Sequence, residues 1–292
     1  MRPAPGGPPS PLSRSRPTMS RPRRIIPGFG LTLGSTLLVV SLAVVLPLGA
    51  LVFKAAGLSW SDYWGYVSDA RAIATYRVTL LAAAAATLLD LFLGLLTAWI
   101  LVRYEFPGRR LLDSAIDLPF ALPTAVAGIA LAALTVPTGA VGALFAPFGI
   151  KIAYAFPGIV LAMSFTSLPF VVRTVQPVLA DLEPALEEAS STLGAGRWAT
   201  FRRVVFPEIF PALLSGAALA LVRSLGEFGA VVFIAGNLPF KTEITALLTY
   251  VRMDEFDYPG AAALATVILS FALLFLVGVN FLQTRLHRRL HG

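Results

Sequence analysis

Charge is scarce within the long apolar stretches of this sequence, so the few ionisable side chains there are the first candidates for chemistry. Arg223 and Glu227 stand four residues apart in one stretch, a spacing that places both on one face of a mid-membrane helix. Gly216, Ala220 and Ala230 fall on that face too, and small residues let a neighbouring helix approach closely. Such a pair can line or gate a path for an anion, or it can fix helix packing; both readings stand. Asp90, in another apolar stretch, is a candidate partner for Arg223. Other chemistries lack their residues. Without cysteine there is no disulfide, thiolate ligand or cysteine nucleophile, and the histidines, His287 and His291, both sit in the C-terminal tail, so no metal site is expected. Neither paired aspartates nor a histidine–glutamate metal motif lies in the apolar stretches, which argues against an intramembrane hydrolase. The lysines Lys54, Lys151 and Lys241 follow Phe53, Ile150 and Phe240, so no phosphate-cradling Gly-Lys-Ser/Thr loop exists. The chain is expected to carry no cofactor and to be no ATPase.

The elements that must position these residues are membrane spans. Hydrophobic residues make up 57% of the chain and charged residues 13%, against about 25% charged in soluble domains. Six apolar segments, about 31–53, 76–101, 118–136, 156–175, 210–233 and 260–282, each approach the ~20 residues that cross a bilayer. An all-α, six-span membrane protein follows. Residues 1–30 read as a disordered basic tail, too rich in Pro and Arg to bury a core. A signal-peptide reading fits less well, because the first apolar run exceeds the ~7–15 residues of an h-region.

Arginines gather before the first segment, after the second (Arg103, Arg109, Arg110), between the fourth and fifth (Arg173, Arg197, Arg202, Arg203) and in the tail 284–292. With an even number of spans these regions share one side, which the positive-inside bias makes the cytoplasm, together with both termini. The net charge of +7 is read as this bias and not as a nucleic-acid surface. Ser164, Thr166, Ser167 and Pro169 interrupt the fourth segment; hydroxyls bonding their own helix backbone account for them, although broken helices can also line pathways. Asp117, at the start of the third segment, reads as a helix cap. In the last external loop Ile244, Leu247, Leu248 and Val251 follow the i, i+3, i+4, i+7 pattern of an amphipathic helix.

The connection 181–208 carries the most specific spacing. Pro184 suits a first helical position, Glu187 and Glu188 sit near the positive end of the helix dipole, and Gly194 suits a left-handed cap. Leu182, Leu186, Ala189 and Leu193 form one apolar stripe, and Trp198, Phe201 and Val205 a second beyond the glycine. Two short amphipathic helices joined at a glycine are expected; such a pair could also lie on lipid headgroups. Glu188-Ala189-Ser190, three residues, Gly194, nine residues, Val204, one residue, then Phe206-Pro207 resembles the EAA loop of ABC importer permeases, with Ser190 and Phe206 as departures. That resemblance implies a type I, MetI-like permease fold in a bacterial inner membrane, and a coupling site formed by Glu187, Glu188, Ala189, Ser190, Gly194, Val204 and Pro207 that docks a separate ATPase.

Further segments narrow the resemblance. The run Asp117–Ile129, Arg223-Ser-Leu-Gly-Glu-Phe-Gly229 and Phe233–Ile244, followed by Asp257-Tyr258, is similar to the T subunit of sulfate/thiosulfate importers over about residues 75–283. The Arg-x-Leu-Gly-Glu element is shared with molybdate permeases, so molybdate or tungstate stays an alternative. So does a secondary transporter that uses Asp90, Arg223 and Glu227 to couple to an ion gradient. The resemblance implies a homologous second permease subunit, two ATP-binding subunits holding ATP and Mg, and an extracytoplasmic binding protein. Lys241, Arg252, Asp254 and Glu255 are candidate contacts for that binding protein.

Overall fold

The computed structural model describes residues 29–290, except for the side chains of residues 284 and 286–290. The basic tail expected over 1–30 lies outside the described residues save for its last two positions, as does His291. The described residues fall into two units, divided between Gly49 and Ala50. In the first, every described residue from Phe29 to Gly49 is helical and exposed, with a π-helical turn at Ser41–Val45. Such an apolar surface suits lipid. This helix, α1, is Phe29–Ala56.

The second unit holds the core. In chain order its helices are α2 (Trp60–Val67), α3 (Ala70–Arg103), α4 (Arg109–Ile116), α5 (Leu118–Ala121), α6 (Thr124–Thr135), α7 (Gly142–Phe145), α8 (Phe156–Ala180), α9 (Pro184–Thr192), α10 (Arg197–Leu225), α11 (Val231–Ile234), α12 (Thr245–Asp254) and α13 (Tyr258–Leu290). No strand occurs among the described residues. Helices α1, α3, α8, α10 and α13 are long and apolar enough to cross a membrane, and α6 is a shorter apolar helix. The 34 residues of α3 reach about 51 Å, beyond the ~30 Å hydrocarbon layer, so its ends stand outside it.

Helices α3, α8 and α10 pack against one another and form the centre of the unit. Small residues permit it: a Cβ on Gly94 of α3 would fall 2.7 Å from Val171 Cγ1 of α8, and one on Gly216 of α10 would fall 3.0 Å from Val171 Cα. Val171 is therefore held between two glycines, the close approach by which helices associate where lipid tails leave little hydrophobic drive.

Two of the six apolar segments differ from their expected form. The segment 118–136 is broken: Leu122 is extended (φ −90°, ψ 137°) before Pro123, because a proline ring clashes with an α-helical predecessor. What remains helical beyond it is α6, with 12 residues. The segment 210–233 is helical only to Leu225 and stops at Gly226; one turn, α11, follows. At the other end α10 begins at Arg197, so the second of the two short helices expected in the 181–208 connection is the start of this long one.

Candidate functional site

The 181–208 connection forms a turn that backbone geometry alone explains. Helix α9 starts at Pro184 and ends in a left-handed Gly194 with φ +83°. The Ala195 N–H donates to Ser190 O at 3.1 Å and the Gly194 N–H to Ser191 O at 3.0 Å. These are the two bonds of a Schellman cap, which needs a left-handed residue at the glycine position. Across the turn the Ser190 and Thr200 hydroxyls lie 3.0 Å apart and hydrogen-bond, so the serine that departs from the Glu-Ala-Ala pattern ties α9 to α10.

The turn is also fixed to the bundle. Arg103, the last residue of α3, ion-pairs with Glu187 and lies 5.3 Å over the Trp99 ring. Trp99 in turn meets Phe201 of α10 edge-on at 5.5 Å, and Val205 is buried. The outer surface is open among the described residues, with Trp198 stacked on Phe201 at 5.5 Å. Leu193 and Trp198 are 88% and 72% exposed, and Leu186, Glu188, Ala189 and Pro207 are exposed beside them; Val204 is half-buried. The apolar stripe read from Leu182, Leu186, Ala189 and Leu193 therefore faces away from the spans over most of its length.

Within the membrane the charged residues are arranged differently from expectation. Arg223 does pair with Glu227, at 2.7 Å, but not as neighbours on one mid-helix face: Arg223 is in the last turn of α10 and Glu227 lies beyond its end. Glu227 is 1% exposed, and its Oε1 accepts the Ala230 N–H at 2.8 Å. Gly229, with Thr124 Oγ1 2.1 Å from where its Cβ would stand, and Gly128, whose Cβ would meet Ala230 O at 2.3 Å, press this break against α6. Asp90 is not the partner of Arg223. It is buried and accepts hydrogen bonds from Ser164 and Ser167 of α8, while Ser224 of α10 donates to Ser167 Oγ at 3.1 Å. The serines of α8 are thus more than self-bonded: Ser167 serves both Met163 O, at 2.7 Å, and Asp90.

A second cluster escaped the sequence reading. Arg173 of α8 donates to both carboxylate oxygens of Asp117, at 2.9 and 2.6 Å, and to Asp113 Oδ1 at 2.6 Å, tying α4 to α8. Asp117 stands at the N-cap position of α5, as expected, but its side chain makes no cap hydrogen bond and pairs with Arg173 instead. The hydrogen bond from Arg173 holds the Asp113 carboxyl below the usual carboxylate range, against the opposing effect of burial. Asp113 and Asp117 are four residues apart, the one signal that they share a face.

At the other end of the bundle, Arg71 grips Glu243 through two bonds of 2.9 and 2.7 Å. Lys241 precedes α12 and is exposed, whereas Asp254 and Glu255 are exposed at its far end; Arg252 is half-buried and pairs with Asp257 at 3.3 Å. Helix α12 packs on α13 and α3 through Leu247 and Leu248. No group of residues able to hold a metal occurs among the described residues.

A multi-span helical bundle that presents a glycine-capped helical turn outside its spans is the architecture that the resemblance to importer permeases implies. Residues 90–292 match the family described as binding-protein-dependent transport system inner membrane component, and the chain belongs to that family. Its sequence is 56% identical over 270 residues to the sulfate transport system permease protein CysT of Escherichia coli, covering 92% of this chain and 98% of that one. With the CysT of Synechocystis it shares 48% identity over 248 residues, covering 85% and 87%. The fold is similar to that of a bacterial ABC transporter involved in the import of alginate, with a TM-score of 0.72 at 16% identity over 88% of this chain and 94% of that one. Against the MetNI methionine ABC transporter the TM-score is 0.55 at 18% identity, over 80% and 100%.

Proposed function

We propose that this chain is the membrane-spanning permease subunit of an ATP-driven importer that carries sulfate or thiosulfate into the cytoplasm. The observation that carries this reading is the α9–Gly194–α10 turn: an exposed apolar and acidic surface outside the spans, joined to α3 by Arg103–Glu187. A separate ATPase, with its ATP and Mg, docks there, and each of two copies moves one permease chain; a homologous subunit supplies the second. Differential binding of the ATPases in their open and closed states supplies the energy for alternating access. Both termini and the turn lie in the cytoplasm, and an extracytoplasmic binding protein meets the opposite end, at Lys241, Arg252, Asp254 and Glu255. The high identity to proteins named as sulfate permeases supports the substrate.

Arg223 is the cation that meets the passing oxyanion. In the present arrangement Glu227 holds its guanidinium, and the break at Gly226 lets that contact open without bending a helix. Asp90 belongs to the same pathway as a positioning residue, joining α3 to α8 and, through Ser167 and Ser224, to the last turn of α10. The test is radiolabelled sulfate uptake into vesicles holding the permease pair, the ATPases and the binding protein. Uptake should require ATP, survive ionophores that collapse ion gradients, and be competed by thiosulfate more strongly than by molybdate. Uptake that follows an ion gradient without ATP would overturn the reading.

A further inference from the structure

Helix α2, Trp60–Val67, fills the short connection between the end of α1 at Ala56 and the start of α3 at Ala70. It is held firmly on one side. Val67 is buried, the Tyr63 hydroxyl hydrogen-bonds Thr266 Oγ1 of α13 at 3.1 Å, and Ser59 caps the helix by accepting the Asp62 N–H at 3.1 Å. On its other side Trp60 and Trp64 are 77% and 57% exposed and stack at 6.0 Å with their planes 19° apart. An indole buries on the order of 150–250 Å² when it has a partner, so two rings displayed together on an anchored helix mark a surface built to be covered.

Two observations identify the cover. Beside Trp60 lies an apolar cleft of about 390 Å³ whose walls include Val52 and Ala55 of α1, Tyr63 of α2 and Thr266 of α13. Val52 of that wall and the neighbouring Phe53 are 51% and 82% exposed, on a helix long and apolar enough to cross a membrane. The rings themselves begin four residues past the last residue of this apolar helix, the depth at which a chain that spans would leave the hydrocarbon. Tryptophan favours this depth, because its body is apolar and its N–H can donate to ester and headgroup oxygens.

We propose that this corner, at the bundle end opposite the coupling turn, binds a phospholipid, with one acyl chain in the cleft and the Trp60–Trp64 pair at the level of its ester and headgroup. The absence of cysteine from the chain makes a site-specific label simple. In the assembled importer, with partner thiols replaced and reconstituted in phosphatidylethanolamine–phosphatidylglycerol vesicles, a nitroxide at Trp64→Cys should collide more with oxygen than with a water-soluble nickel chelate. Its depth should be about 5–10 Å below the phosphates. A label that meets nickel as freely as one at Asp254→Cys overturns the proposal. So does a label shielded from both reagents, since a protein partner then covers the corner. Native mass spectrometry of the purified complex should show a retained phospholipid whose occupancy falls at least tenfold in Val52→Trp, which fills the cleft from its exposed rim; unchanged occupancy overturns the seat.

Discussion

The coupling turn and the intramembrane cluster around Arg223 use the same kinds of side chain under opposite physical conditions. At the turn, Arg103 and Glu187 are each about a quarter exposed, and water stands ready to replace either partner. At the break after α10 only the cation keeps that freedom: Arg223 is about a third exposed, whereas Glu227 is buried and, among the described residues, is held by Arg223 and the Ala230 N–H. Pairs of the first kind contribute about 0–1 kcal/mol, whereas breaking a buried pair costs about 3–5 kcal/mol because a desolvated charge is left alone. The link between turn and span thus carries little energetic risk. The break concentrates energy on one contact, which suits a place where a charge must be handed to something else.

The largest effect should follow from separating these charges inside the membrane. Arg223→Leu leaves the buried Glu227 carboxylate without its cation, and the assembled complex should be recovered in less than a tenth of its normal yield. Arg223→Leu combined with Glu227→Leu should restore most of the assembly, yet sulfate uptake should stay absent. Purification yield and vesicle uptake, measured together on both single variants and the double, decide the matter. Recovered transport in the double variant would confine the pair to helix packing.

Next in size is the Asp90 network, which sharpens the contrast because it contains no cation among the described residues. Asp90→Ala removes the acceptor of buried Ser164 and one of the two acceptors of Ser167 at the junction of α3, α8 and α10. A buried donor left unsatisfied costs roughly 1–3 kcal/mol, which should appear as a lowered thermal midpoint of the purified complex. Asp90→Asn keeps an acceptor oxygen and should recover at least half of that loss. An Asn variant as unstable as the Ala variant would show that the negative charge itself matters there.

At the turn, geometry and not burial sets the penalty. A Cβ on Gly194 would meet nothing within 4 Å, so Gly194→Val should insert and assemble with its spans intact. The left-handed backbone still disfavours a branched side chain by about 1–2 kcal/mol or more, enough to unwind the Schellman cap and misplace the docking surface. Uptake should fall at least tenfold, with ATPase binding or ATP hydrolysis uncoupled. Gly194→Asn should retain most activity, since asparagine tolerates this conformation. Equal loss in both variants would point away from backbone conformation.

These two regions also differ in how much of them the sequence discloses. The turn is written in consecutive residues: Pro184 at the helix start, a glycine at the cap and apolar residues at helical spacing, all local rules that tertiary packing left alone. The intramembrane cluster depends on which helices touch. Ser164 and Ser167 lie three residues apart on one face, but nothing in α8 says that Asp90 of α3 lies opposite, or that Ser224 completes the set. Hydropathy likewise blurred two boundaries. Averaging over an apolar window concealed Pro119 and Pro123 in one segment and Gly226 and Gly229 in another, although each is a recognised helix breaker. The family resemblance reached the right class because its motif sits where the local rules suffice.

The smallest expected change in stability concerns the link between turn and span. Arg103→Gln and Glu187→Gln, singly and together, should give a coupling energy of about 0.2–1 kcal/mol in the thermal stability of the complex. Function should respond more than stability. Arg103 is the last residue of α3 and rests on Trp99, which meets Phe201, so this pair lies on a described route from the turn to α3. If movement of the turn reaches α3 through the pair, sulfate carried per ATP hydrolysed should drop about equally in each single variant and no further in the double. Independent losses that multiply in the double variant would mean that Arg103 and Glu187 act through separate contacts. An unchanged ratio in all three would leave the continuous helix α10, from Arg197 to Leu225, as the element that transmits the motion.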